Sequence, residues 1–360
     1  MITVSLCMIV KNEEQTLERC LASVKDIIDE VIIVDTGSTD RTKELAAKWT
    51  SKVFDFPWND DFATARNFSF AQATMDYILW LDADDILLQE DLEKFIHLKE
   101  TLDPSVDTVS MDYACTFDDR GSLLLSVRRY RLLRREKNFK WYGVIHEDLD
   151  VSGIGYDSDI VVTHRQIHTR TDRNLRIYEN LLASGMILGT RDMLHYATEL
   201  YQFQEYEKAI EYYLKFIRVK DTPLEHKIYA CVQLSYCYHH IGNQERELQF
   251  IFKSFEYDVP HPESCNRVGH YFLENKQFTQ AVFWYKLAIE VPVQKNDWGI
   301  VNHASRTWLP HMQLGLCYYQ LGDQKRAYDH TKIALTYNPN DERLLNNIKI
   351  LEELLHQNDE

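Results

Sequence analysis

The sequence predicts a mostly parallel α/β sheet domain over residues 1–170, a helical linker over 171–190, and an all-α helical solenoid with a closing helix over 191–360. Three observations carry this. Short β-rich apolar runs alternate with helical patterns through the first 165 or so residues. Strand runs vanish after about residue 190. Helical pairs then recur every 34 to 46 residues. A chain of 360 residues is also longer than one ordinary domain, so two cores are expected.

In chain order, TVSLCMIV, EVIIVD, KVFDF and YILWLD read as strands. Between them EEQTLERCLASV puts Leu17, Cys20, Leu21 and Val24 on one helical face, and TDRTKELAAKW reads as a second helix. Strand–helix–strand order with unbroken apolar strands indicates a parallel sheet covered on both faces. DTVSMDYACTF, SLLLSVRRYRLLRR and DIVVTH add further strands. In the second half EYEKAIEYYLKFI, NQERELQFIFKSF, QFTQAVFWYKLAI and DQKRAYDHTKIAL align, with Ala209, Glu247, Ala281 and Ala327 at their fifth positions. Each follows a helix that ends in a turn. The period, the small residue at the helix crossing and the NPND ahead of a last helix resemble tetratricopeptide repeats. The stretch VQKNDWGIVNHASRTW reads as an insertion between helices.

The formal charge of −16 argues against a nucleic-acid backbone as the main partner. Seven scattered cysteines without a CxxC pair fit reduced thiols. The opening MITVSLCMIVKNEE has no basic n-region, and no run approaches a membrane span. A cytoplasmic chain is expected.

Polar clusters fall at the carboxyl ends of the strands, where ligands of parallel α/β sheets collect. KNEE follows the first strand, DTGSTD the second and DADD the strand ending at Leu81, while DDFATARN starts a helix just ahead of it. Two carboxylates about 4 Å apart repel by roughly 4 kcal/mol at an effective dielectric near 20. Asp82 and Asp84, two apart in extended chain, project to the same side and suit a hard divalent cation bound to a diphosphate. The competing reading caps a helix beginning ILLQEDLEKF with Asp84 or Asp85, and Asp85 alone suits that cap.

SLCMIVKNE, VDTGSTDRT, DFATARN, LWLDADD and WYGVIHE occur in this order. Together they resemble the inverting glycosyltransferases of family 2, with the GT-A fold. The appended repeats resemble the arrangement of sublancin-type peptide S-glycosyltransferases. The resemblance implies a UDP-sugar donor, with Asp35 accepting from uracil N3–H, Glu13 near the ribose, and Val10, Arg66, Asn67 and Asp82 lining the donor site. It implies Mn²⁺ or Mg²⁺ held by Asp84 with Asp82 and His164, and an imidazole ligand would tilt the choice toward Mn²⁺. His168 competes with His164, and the glycine and tyrosine usual after that histidine are replaced by RQIHTR. Glu147 of the H-E pair is implied as the base that takes the acceptor's proton, with Asp148 its rival. Trp141 and His146 are expected at the sugar or acceptor wall, although a core position suits Trp141 equally. For Arg66 the alternative is a surface pair with Asp60 or Asp61. Arg129 and Arg131 share a strand face, and Arg131 is favoured to neutralise the departing diphosphate. The expected function is hexose transfer to a peptide or protein, with the repeats holding that acceptor or pairing two copies as a homodimer. A saccharide or lipid-linked acceptor, or a non-catalytic repeat scaffold, is the alternative.

Overall fold

The computed structural model describes residues 1–167, 171–292 and 298–358. The chain divides into two compact units, one of Met1–Phe117 and Leu125–Asn180 and another of Asp118–Leu124 and Leu181–Glu360.

The first unit runs β1 (Val4–Val10), α1 (Leu17–Val24), β2 (Glu30–Asp35), α2 (Thr42–Ala46), β3 (Val53–Asp55), α3 (Phe62–Ala71), β4 (Tyr77–Trp80), β5 (Asp85–Leu87), α4 (Gln89–Thr101), β6 (Thr108–Phe117), β7 (Leu123–Arg134), β8 (Lys140–Tyr142), β9 (Asp148–Asp150), β10 (Gly155–His164) and α5 (Arg173–Ala183). The main sheet has the order β3-β2-β1-β4-β7-β6-β10-β5. Pairs β2/β3, β1/β2, β1/β4 and β6/β10 are parallel, while β4/β7 and β5/β10 are antiparallel. Strand alternation sends Leu6, Met8, Ile33 and Leu79 into one core with the α1 and α4 faces. Cys7, Ile32, Val34, Ile78 and Trp80 enter a second core with Ala63 and Phe70 of α3 and with Trp141. Both faces are therefore buried, as unbroken apolar strands require.

One expectation is overturned beside the site. ILL does not open a helix: Asp85–Leu87 is β5, and α4 begins at Gln89 with Leu88 at its N-cap and no side-chain cap. Pairing with β10 in the register His164↔Asp85, Thr163↔Ile86 and Val162↔Leu87 outweighs local helix propensity. Asp85 is thus a strand residue.

Glu30, at the start of β2, ties three segments together. It accepts from Ser5 Oγ at 2.5 Å, Thr74 N at 2.9 Å and Thr74 Oγ1 at 2.7 Å, and it pairs with Lys52. Burial would raise its carboxyl, but Lys52, Ser5 and Thr74 outweigh burial and lower it from 4.5 to about 2. A depressed carboxyl adds stability that is complete above the unfolded value and lost as pH falls toward 2. Urea unfolding of Glu30→Gln is expected to lose about 1–3 kcal/mol at pH 7, with the gap to wild type closing between pH 4.5 and 2.

The second unit stacks α6 (Thr190–Gln202) with α7 (Tyr206–Ile217), α8 (Leu224–His240) with α9 (Gln244–Ser254), α10 (Pro262–Glu274) with α11 (Phe278–Glu290), and α12 (Trp308–Gln320) with α13 (Gln324–Tyr337), ahead of α14 (Glu342–Asn358). Ala209, Ala281 and Ala327 are fully buried where helices cross. Glu247 takes the same position and breaks the small-residue rule. It is 1% exposed, paired with Arg267 and 3.1 Å from His239 Nδ1, which answers the burial of its charge. Gly242 and Gly322 close α8 and α12 with φ of 75° and 79°, a backbone that favours glycine. Asp341 of NPND accepts from Arg343 N at 2.9 Å and Leu344 N at 3.2 Å, capping α14. Residues 293–297 of the insertion lie outside the described residues. Among the described residues no helix is long and apolar enough to cross a membrane.

Candidate active site

β1, β2 and β4 end together, and their exit loops carry KNEE, DTGSTD and DADD. The last is a closed turn and not extended chain. Asp85 N donates to Asp82 O at 3.0 Å, and Asp82 N donates to Asp85 Oδ2 at 3.0 Å. Asp82 and Asp84 are therefore aimed at different partners, contrary to the extended-chain expectation. Asp82 Oδ1 accepts from Arg66 Nη2 at 2.8 Å. Asp84 lies 3.4 Å from His164 Nδ1. The ladder pairs Asp85 with His164, and Oδ1 of Asp85 stands 3.1 Å from the same Nδ1. Asp84, Asp85 and His164 each offer a ligand atom, all within 4.8 Å of one another, and Asp82 is outside this set. His168 lies outside the described residues.

Charge is distributed unevenly over the turn. Burial raises the Asp82 carboxyl, yet nearby Arg66 and Arg131 outweigh it and leave it below the ordinary value. Asp85, sealed from solvent, pairs with Arg131 at 3.2 Å. Among the described residues, Asp84 pairs with the histidine alone. Burial, and then Asp82 and Asp85 against the pull of His164, raise it from 3.8 to about 6. Burial lowers His164, but Asp85 and Asp84 reverse this and raise it. A half-buried carboxylate beside an imidazole, with no fixed cation against it among the described residues, is a donor set that fits a divalent metal.

Asp35 is 2% exposed. Its Oδ1 accepts from Gly37 N and Ser38 N, both at 2.9 Å, so it organises its own turn and caps no helix. Its Oδ2 is buried with no hydrogen-bond partner among the described residues. Val10, buried at the end of β1, offers its carbonyl to Thr36 N at 2.9 Å and Thr36 Oγ1 at 3.1 Å, which joins the first two exit loops. Glu13 accepts from Thr16 Oγ1 at 2.5 Å ahead of α1, and its charge also raises Asp84. Asn12 and His146 have φ of 58° and 50°, so two of the site loops carry left-handed backbone at residues other than glycine.

Arg66 departs from the surface-pair reading. It is 7% exposed, which rules out a surface pair with Asp60 or Asp61. Asp61 instead caps α3 through Thr64 N at 2.9 Å, and Asp60 accepts from Trp58 Nε1 at 2.8 Å. Arg66 Nε donates to Glu147 Oε1 at 2.5 Å, its Nη2 holds Asp82, and its guanidinium lies 4.8 and 4.9 Å from the Trp80 and Trp141 rings.

Asn67 also has partners within the protein. Its amide exchanges two 2.9 Å hydrogen bonds with the Trp141 backbone, which fixes β8 to α3. Trp141 is a core residue packed edge-on against Trp80 and Phe70, and not an exposed wall. Arg131, expected on the diphosphate, is 1% exposed and pairs with Asp85 beneath the turn. Arg129, on the same strand, is exposed. Glu147 is half-buried between β8 and β9, and Asp148 opens β9, its Oδ1 accepting from Leu149 N at 2.9 Å. The sequence reading missed Trp80, which packs against both arginines, and Tyr113, which faces Arg131 at 4.4 Å and His164 at 5.6 Å. Trp80 had one signal, its place directly before LDADD. Tyr113 had none.

This constellation sits at the ends of parallel strands, where ligands of such sheets collect. The family model Glycosyl transferase family 2 matches residues 5–160, the N-terminal part of the chain. Among similar proteins, a TPR repeat-containing protein of Synechococcus elongatus is 41% identical over 152 residues, covering 42% of this chain and 36% of its own. The SPbeta prophage-derived glycosyltransferase SunS of Bacillus subtilis is 28% identical over 239 residues, covering 60% of this chain and 53% of its own. The chain spans about half or less of the length of these relatives. A solved structure of glucosyl-3-phosphoglycerate synthase from Mycobacterium tuberculosis aligns over 52% of this chain and 81% of its own, at 17% identity and a TM-score of 0.35.

Asp84 must lose its proton to ligate a cation, so the proton competes below its raised value. Mn²⁺ affinity, followed by electron paramagnetic resonance, is expected to fall already as pH drops through neutrality, because His164 is held above its ordinary value, and to fall more steeply below about pH 6, where Asp84 also takes up a proton. Asp84→Asn should bind weakly at every pH.

Proposed function

We propose that the chain is a metal-dependent inverting glycosyltransferase that moves a hexose from a UDP-sugar to a peptide or protein, acting in the cytoplasm. One observation carries the reading. The DADD turn sets an uncompensated carboxylate, Asp84, beside His164, while neighbouring Asp82 shares one guanidinium with Glu147. A cation-binding end and an acceptor-side carboxylate thus lie one arginine apart, as a displacement between donor and acceptor requires.

Asp84 and His164 would hold the cation, which supplies positive charge against the leaving diphosphate. The free oxygen of Asp35 would accept from uracil N3–H, with Glu13 toward the ribose. Glu147 is the base in this reading, because it and no other acid of the H-E-D run shares Arg66 with the donor-side turn. It removes the acceptor's proton as the acceptor bonds to the anomeric carbon. The bond to UDP breaks on the opposite side, and UDP leaves with the electron pair. The stacked helical hairpins support a peptide or protein acceptor, since such repeats commonly offer extended binding surfaces. All seven cysteines are free thiols, which suits a reducing compartment.

UDP release by the purified chain with Mn²⁺ and a panel of UDP-sugars tests this. Release with one sugar, abolished by EDTA and by Asp84→Asn, is expected, while no release and no UDP binding at any metal would overturn it. With a peptide acceptor, found as a mass increase of one hexose, Glu147→Gln should slow transfer by about 10²–10⁴-fold and leave donor affinity nearly unchanged. If Asp148→Asn gives the larger loss, the base is Asp148.

A further inference from the structure

Asp85 and Arg131 form an ion pair at 3.2 Å in which the side chains are 0% and 1% exposed. As a device for stability alone such a pair is a poor choice, because an apolar pair of similar volume commonly does as well or better. The arginine is nevertheless closely housed. Its guanidinium lies 3.8 Å from the Trp80 ring and 4.4 Å from the Tyr113 ring, and Nη1 donates to Trp80 O at 3.3 Å. The consequence is visible on the carboxylate. One oxygen of Asp85 accepts from Asp82 N at 3.0 Å and closes the turn, and the other faces His164 Nδ1 at 3.1 Å. A single carboxylate grips the turn that carries Asp84 and the ring of His164.

We infer that Asp85 and Arg131 are positioning residues for the cation centre: Arg131 fixes Asp85, and Asp85 fixes His164 and the turn of Asp84, neither touching substrate. This rests on the cation reading above. With Nδ1 turned to Asp85, Nε2 is the ring nitrogen left to ligate. Ligating histidines commonly hold their other nitrogen on a carboxylate, and loss of such a partner typically weakens metal binding about 10–100-fold. Asp85 is then the member of the three-residue cluster that does not ligate.

The test measures Mn²⁺ affinity by electron paramagnetic resonance, and Tm of the metal-free chain, in wild type, Arg131→Lys and the double variant Asp85→Leu with Arg131→Met. The double variant leaves no orphaned buried charge, so a Tm close to wild type is expected together with an affinity about 10–100-fold lower. A folded double variant that binds Mn²⁺ as wild type does would overturn the inference and leave the pair a structural staple. If the double variant does not fold, Arg131→Lys decides, because it keeps the charge but not the planar fork. A loss of about tenfold with an intact Tm supports positioning, and unchanged affinity overturns it. Wild type that binds no Mn²⁺ removes the cation reading and this inference together, which is a different result from wild type and variants binding equally.

Discussion

Everything at the candidate site depends on how two buried guanidiniums are shared among the carboxylates of one turn. Arg66 spans Asp82 and Glu147, and Arg131 sits beneath Asp85. Trp80 lies against both. Desolvating an arginine and its partner costs several kcal/mol per ion, so these contacts persist only where geometry and neighbouring rings offset the loss. Two of the three acids are thereby neutralised from within the protein. Asp84 is left over, and burial with the neighbouring acids raises its carboxyl.

The sheet makes that sharing possible. β4 delivers Trp80 and the turn, β7 brings Arg131 up antiparallel beside it, and β5 returns along β10 so that Asp85 faces His164. From the opposite layer, α3 supplies Arg66, and Asn67 fixes β8 so that the following loop presents Glu147. Core packing and site chemistry use the same residues here. Trp80 and Trp141 are core side chains that also line the walls of the Arg66 slot. The helical unit solves a different problem, stacking hairpins through small residues at the crossings. Its exception, Glu247, follows the same rule as the site, a buried acid answered by an arginine.

Much of this was legible in advance. Apolar runs with period two, helical faces such as Leu17–Cys20–Leu21–Val24, and the repeated alanines mark elements whose type is decided locally. Asp35 was legible as a site residue because it ends a strand in a parallel sheet. Arg66, Asn67, Arg131 and Trp141 were legible as residues of the site region, but not their partners within the protein. Arg66, Arg131 and Trp141 are buried and Asn67 is half-buried, and each contacts residues distant in sequence. β5 was missed because three residues give too short a pattern to separate strand from helix start.

By itself the sequence determined the order of strands and helices, the change to a repeat architecture, and the placement of acids at strand ends, because these follow from periodicity and local turn chemistry. Only the tertiary structure decided which acid meets which base. Arg66 and Glu147 stand 81 residues apart in the chain, and His164 and Asp85 stand 79 apart. No local pattern couples residues at such separations. Their pairing is set by strand order and register, and burial then strengthens each interaction by removing the water that would screen it.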